Sequence, residues 1–119
     1  MKALVSYLMA ALLIAGAVAH VVRPEFYVAM IPSFIPPSLA NLLAALAELV
    51  VGVAILVPRF RFWGGLGFAL LMIAFLPLHI WDLVRADPVM GSASAAFVRL
   101  LLQLILIYAG WWIYQSYKK

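Results

Sequence analysis

Four stretches, 3–22, 38–57, 62–84 and 95–117, are each apolar over about twenty residues, the length an α-helix needs to cross the hydrocarbon of a bilayer. Nothing else in the chain constrains its fold as hard. Of the 119 residues, 69% are hydrophobic and 10% charged. Soluble domains are about half apolar and a quarter charged. The chain therefore has too little polar surface to cover a water-soluble globule and is expected to be integral to a membrane.

The connections fit this reading. "VPRFR" closes the second stretch with a proline and two arginines, so that turn is short. "RADPVMGSAS" separates the third from the fourth, with Pro88 and Gly91 as breakers. The first loop, 23–37, reads "RPEFYVAMIPSFIPP" and holds four prolines. It is too apolar for a solvated linker and is expected to pack on the helices or lie in the interface. Short connections predict an all-α, antiparallel, up-and-down bundle of four transmembrane helices with this Pro-rich first loop, in one domain spanning 1–119. "MKALVSYLMAALLIAGAVAH" also has signal-peptide features, a basic residue and Ala17-Val18-Ala19. Its apolar stretch continues to Val22, long enough to span, and is read as the first helix.

Lys2, Arg59, Arg61, Lys118 and Lys119 fall on one side of a four-span arrangement, and Arg23 and Arg85 on the other with Glu25 and Asp87. The positive-inside rule predicts cytoplasmic termini, an outward Pro-rich loop and a multi-pass protein of the inner (plasma) membrane. The net charge of +4 gathers at segment ends and does not point to nucleic acid. The chain has no cysteine, which removes disulfides, thiol chemistry and thiolate metal sites. No metal site and no catalytic constellation are expected, and no independent enzymatic activity. The run "GGLG" lacks the context of a phosphate loop and suits a tight helix crossing.

Glu48 lies in the middle of the second stretch, where a carboxylate is costly and is a functional candidate. Ala40, Ala44, Glu48 and Gly52 form one stripe, and Ala11, Ala15 and Ala19 offer a matching stripe on the first helix. The two are expected to face each other, with Glu48 inward and answered by Arg99 and Gln103 from the fourth helix. His79 and Asp82 stand one turn apart after Pro77, and His20 sits near the same boundary. All these polar groups belong to one half of the bundle, the half under the Pro-rich loop. Each also has a plainer reading. Glu48 suits an interhelical hydrogen bond serving packing alone. Arg99 suits snorkelling to phosphates, and His20, His79 and Asp82 suit helix ends.

"AHVVRPEFYVAMIPSFIPP", "LAELVVGVAILVPRFR", "FLPLHI" and "RLLLQLILIYAGWW", in this order, resemble the DoxX-like family of small membrane proteins. The matching positions are His20, Pro24, Tyr27, Met30, Pro32, Pro36, Glu48, Gly52, Pro58, Arg61, Pro77, Arg99 and Gln103. The resemblance implies a four-helix membrane protein, usually bacterial or archaeal. The family takes its name from a subunit associated with thiosulfate:quinone oxidoreductase. Other members are linked to membrane oxidoreductase complexes and oxidative stress, and animal relatives assist receptor assembly. The chain departs from the cysteine-bearing redox members.

The expected site is a pocket for a small amphiphile, with a quinone as first choice. Tyr27, Met30 and Phe34 would cover its apolar part, and Glu48, Arg99, Gln103, His79 and His20 would hold its polar head. The lipid bilayer is the expected medium, and a membrane oxidoreductase or a second copy of the chain the expected partner. The alternative is a non-catalytic scaffold or assembly partner whose polar cluster only stabilises the bundle. Transport ranks behind both, because the inner half offers no polar path.

Overall fold

A computed structural model describes residues 1–118. Lys119, grouped above with the basic residues of one end, lies outside the described residues. Among the described residues the chain is all-helical: α1 (Lys2–Val22), α2 (Glu25–Val28), α3 (Pro37–Leu56), a 3-10 turn (Pro58–Phe60), α4 (Arg61–Val84) and α5 (Ala93–Tyr117). Four of these helices are long and apolar enough to cross a membrane, and the chain is a multi-pass membrane protein. The single turn of α2 interrupts the first loop, 23–36.

Local chemistry sets the ends. Pro37 opens α3 at a position where a missing N–H costs nothing. Ser92 caps α5, its hydroxyl accepting from the Ala95 N–H at 3.1 Å. Gly91, in the turn before it, takes φ 97°, the left-handed region that favours glycine. Asp82, fully buried at the end of α4, accepts from the N–H groups of Val89 (2.6 Å) and Met90 (3.3 Å) and so ties down the turn between α4 and α5.

Helices in lipid gain little from hiding apolar surface, so close backbone approach and polar contacts hold them together. The glycines mark where this happens. A Cβ on Gly65 would lie 2.6 Å from the Tyr114 N, and one on Gly110 2.6 Å from the Ala69 N. Those two positions let α4 and α5 touch backbone to backbone. Gly64 does the same for α3 and α4, with Ile55 N at 2.7 Å, so the GGLG run serves helix crossings. Gly52 seats α3 on α1, facing Ile14 Cγ1 at 3.0 Å and the Ala10 O at 3.4 Å. The apolar core joins Ala10, Leu13, Ile55, Phe68, Met72 and Leu106. α1 pairs with α3 and α4 with α5, whereas α1 and α5 touch only lightly.

Two expectations about packing fail. The α1 face turned inward carries Ser6, Ala10, Leu13, Ala17 and His20; Ala11 and Ala15 are exposed. Polar Ser6 and His20 must avoid lipid, and together they dictate the rotation of the helix more strongly than alanines that lipid tolerates equally well. Arg61, read from sequence as a boundary charge, is buried. Its guanidinium donates to the carbonyls of Ile55 (2.7 Å) and Leu56 (3.2 Å), satisfying the open end of α3, and lies over the rings of Tyr7 and Tyr117.

Candidate functional site

The two helix pairs enclose a cavity of about 740 Å³. Its walls are mostly apolar, from Leu8, Leu12 and Leu13 on α1, Met72 and Phe75 on α4, and Leu102 and Leu106 on α5. His20, Tyr27, Met30, Glu48, His79 and Arg99 also line it. Sequence positions far apart thus meet around one space.

On the α1–α3 side the polar groups form a chain. The Asn41 amide donates weakly to the Pro24 carbonyl at 3.4 Å, which turns its oxygen toward His20. That oxygen lies 2.7 Å from His20 Nδ1, so Nδ1–H is the donor. His20 Nε2 is then left bare in the neutral ring and faces Glu48 Oε1 at 3.7 Å. A proton in this gap serves either an ion pair or a carboxyl-to-imidazole contact. The ring of Tyr27 stacks on His20, centroids 3.7 Å apart, and closes the cavity from the first loop. Burial raises the Tyr27 phenol above its ordinary pKa, and the Glu48 carboxylate adds to this.

Glu48 is only 7% exposed, and its Oε2 has no hydrogen-bonding partner among the described residues. Gly16 makes room for it: a Cβ there would stand 2.6 Å from Oε2. Across the cavity, Arg99 Nη1 donates to Gln103 Oε1 at 3.0 Å, and Gln103 Nε2 donates to the Met72 carbonyl at 2.7 Å. The arginine is therefore pinned to α4 through a fully buried amide. No carboxylate lies within 4.0 Å of it among the described residues. His79 Nδ1 is likewise buried without a partner.

The structure redistributes the expected roles. The direct pairing of Glu48 with Arg99 and Gln103 does not form, because α3 lies against α1 rather than α5, and the near partner of Glu48 is His20. Gln103 is buried behind Arg99 and does not line the cavity. Phe34 also stays outside, 83% exposed. It occupies a turn closed by the Ile35 N–H bonding to the Pro32 carbonyl, which directs it away from the helices. Asp82 serves the turn after α4 and is not on the cavity wall. Asn41 and Gly16 were not anticipated. Asn41 stands seven residues, about two helical turns, before Glu48 and so on the same face, a spacing that was open to view. For Gly16 no sequence signal existed, since its role depends on which helix lies opposite.

The model of the family described as a domain of unknown function, DUF8561, matches residues 9–114, from α1 to α5. The chain belongs to this family. The match covers every cavity-lining residue except Leu8. No curated protein and no solved structure matches the chain.

Proposed function

We propose that the cavity binds a small amphiphile, a quinone by first choice, and that the protein is an accessory component of a membrane oxidoreductase system. One observation carries the reading. A cavity of about 740 Å³ with mostly apolar walls holds an arginine with no carboxylate within 4.0 Å among the described residues, and two of its lining residues, Glu48 and His79, each bury a polar atom without a partner among them. Ligand sites are commonly apolar spaces of about 300–1,000 Å³ with a few convergent polar groups. Arg99 and His79 supply hydrogen-bond donors suited to carbonyl oxygens, and the Glu48–His20 pair supplies a proton on the opposite wall. Tyr27 and Met30 cover the site from the loop side. The motif likeness to DoxX-like proteins supports a quinone; it rests on sequence alone.

In this reading the helices run antiparallel, up and down, across the inner membrane. Both termini are cytoplasmic and the Pro-rich loop is outside, as the lysine and arginine distribution favours. A membrane oxidoreductase or a second copy of the chain is the partner. Titration of the detergent-solubilised protein with a short-chain benzoquinone tests the site. At about a hundred times Kd, binding adds about 2.7 kcal/mol to stability, readable as a raised unfolding midpoint. Glu48→Gln and Arg99→Gln should reduce that rise. No rise in wild type or in either variant sinks the reading.

The scaffold alternative has its own support: Gln103, Asn41, Arg61 and Asp82 all find partners within the chain. On that reading Glu48→Ala lowers stability, no quinone alters it, and a partner protein co-purifies.

A further inference from the structure

The cavity continues past its polar wall. Leu8, Leu12 and Leu102 line it and are 55%, 46% and 44% exposed, whereas Leu13 and Met72, which also line it, are 2% and 5% exposed. The three leucines therefore mark its open rim. The rim lies between α1 and α5, the two helices that touch only lightly, so the cavity opens sideways toward lipid. A shallow surface groove of about 280 Å³ continues in the same seam, lined by Met1, Val5, Ile105, Tyr108, Ala109 and Trp112. Val5 is about one turn from Leu8, and Ile105 and Ala109 flank Leu106, so the two spaces succeed each other along both helices. At its far end Lys2 Nζ donates to the Ser116 carbonyl at 3.3 Å and joins the two helices. From Arg99 to Trp112 it runs about 20 Å at about 1.5 Å per residue.

Polar groups crowd one end of this track and the rest is apolar. Arg99 uses one donor on Gln103 and keeps others for an acceptor. Arg99 stands six residues, about 9 Å, inside the start of α5 and His79 five residues, about 8 Å, before the end of α4, so a head bound between them lies below the helix ends, with the mid-helix Glu48 deeper still. That depth suits a compact head on one chain and disfavours a two-chain lipid with its charged glycerol head.

We infer that the α1–α5 seam houses the hydrocarbon tail of a single-chain amphiphile whose hydrogen-bond-accepting head sits against Arg99 and His79, and that this molecule reaches the site sideways from the bilayer. The inference rests on the ligand-binding reading above and adds the form of the ligand and its route. Lipid tails are as apolar as the seam, so the tail contributes orientation and access more than affinity. The decisive measurement is therefore of location.

The probe is a benzoquinone carrying a long straight alkyl chain with a diazirine at its far end, in lipid nanodiscs holding the full chain. After illumination, adducts are mapped by mass spectrometry. Adducts should concentrate on Val5, Ile105 and Ala109, and excess probe lacking the diazirine should suppress them. Leu12→Trp, which fills the rim, should lower seam labelling about tenfold. Ile105→Trp, at a position 62% exposed, serves the same end should Leu12→Trp fail to fold. Adducts spread over lipid-facing residues such as Leu46 and Ile73, unaffected by competitor, overturn the inference. If the tail-less benzoquinone still raises the unfolding midpoint in that case, the ligand-binding reading survives alone. If it does not, both fall.

Discussion

Replacing Gly16 with alanine puts a methyl group where the Glu48 carboxyl group rests. The added Cβ would lie 2.6 Å from Oε2, 3.2 Å from Cδ and 3.4 Å from Oε1. Ordinary contact begins near 3.4 Å, so the carboxyl group must retreat by about 0.8 Å. Its retreat leads away from α1, hence out of reach of His20 and into the cavity. Overpacking costs about 1–3 kcal/mol, at the low end here because the displaced atoms end a flexible side chain. Alanine returns up to about 1 kcal/mol over glycine within a helix. The net loss of stability should be about 0–1 kcal/mol. Gly110→Ala is the contrast. There the Cβ meets backbone, Ala69 N at 2.6 Å and Gly65 O at 2.9 Å, and only separation of α4 from α5 relieves it. That should cost about 3 kcal/mol. Binding should respond differently. A Glu48 carboxyl group pushed into the cavity takes space from the ligand's head and breaks up the Glu48–His20 pair, so benzoquinone affinity should fall about tenfold in Gly16→Ala. Thermal unfolding in one detergent, with and without benzoquinone, reads both quantities. A Gly16→Ala protein as unstable as Gly110→Ala refutes the packing argument. One that binds like wild type refutes the role given to Glu48.

Asp82→Ala should cost about 1.5–3 kcal/mol, because the N–H groups of Val89 and Met90 lose a charged acceptor, yet leave benzoquinone affinity unchanged, as a denaturation series and a titration will show. Gln103→Leu, close in volume, should cost about 1–2 kcal/mol by losing the bond to Met72 and should also weaken binding, since Arg99 is no longer pinned; the same two assays check it. The Tyr27 phenol holds its proton to higher pH in the folded chain than its ordinary 10.0, through burial first and Glu48 second. The stability linked to it is therefore full below pH 10 and lost as pH rises through the folded value. Unfolding midpoints of wild type should fall more steeply above pH 10 than those of Tyr27→Phe.

Much of the polar inventory was legible, but its wiring was not. Glu48, Arg99, His79 and His20 stand out as polar where lipid should lie, Tyr27 and Met30 as cover from the first loop, and all six border one cavity. The expected partner of Glu48 was wrong, because charge type suggested Arg99 while helix adjacency decided for His20. Phe34 was expected to cover the apolar part of the ligand with Tyr27 and Met30; a single turn between two prolines removes it. Ala11 and Ala15 matched the α3 stripe in spacing, yet spacing four drifts about 40° per step on a 3.6-residue helix. His20 and Ser6 won the inward face.

By itself the order of residues determined that the chain crosses a membrane in helices. Uninterrupted apolar runs leave the backbone no partner but itself once water is gone, and that follows from composition and length without reference to any neighbour. Tertiary structure alone decided that α1 lies on α3, that Gly16 admits the Glu48 carboxyl group, that Arg61 turns back to cap α3, and that α1 and α5 touch only lightly along an apolar seam. Those outcomes depend on contacts between residues far apart in the chain. In lipid, where hydrophobicity does not favour one helix pairing over another, sub-ångström fit at glycines and a few buried hydrogen bonds make the choice.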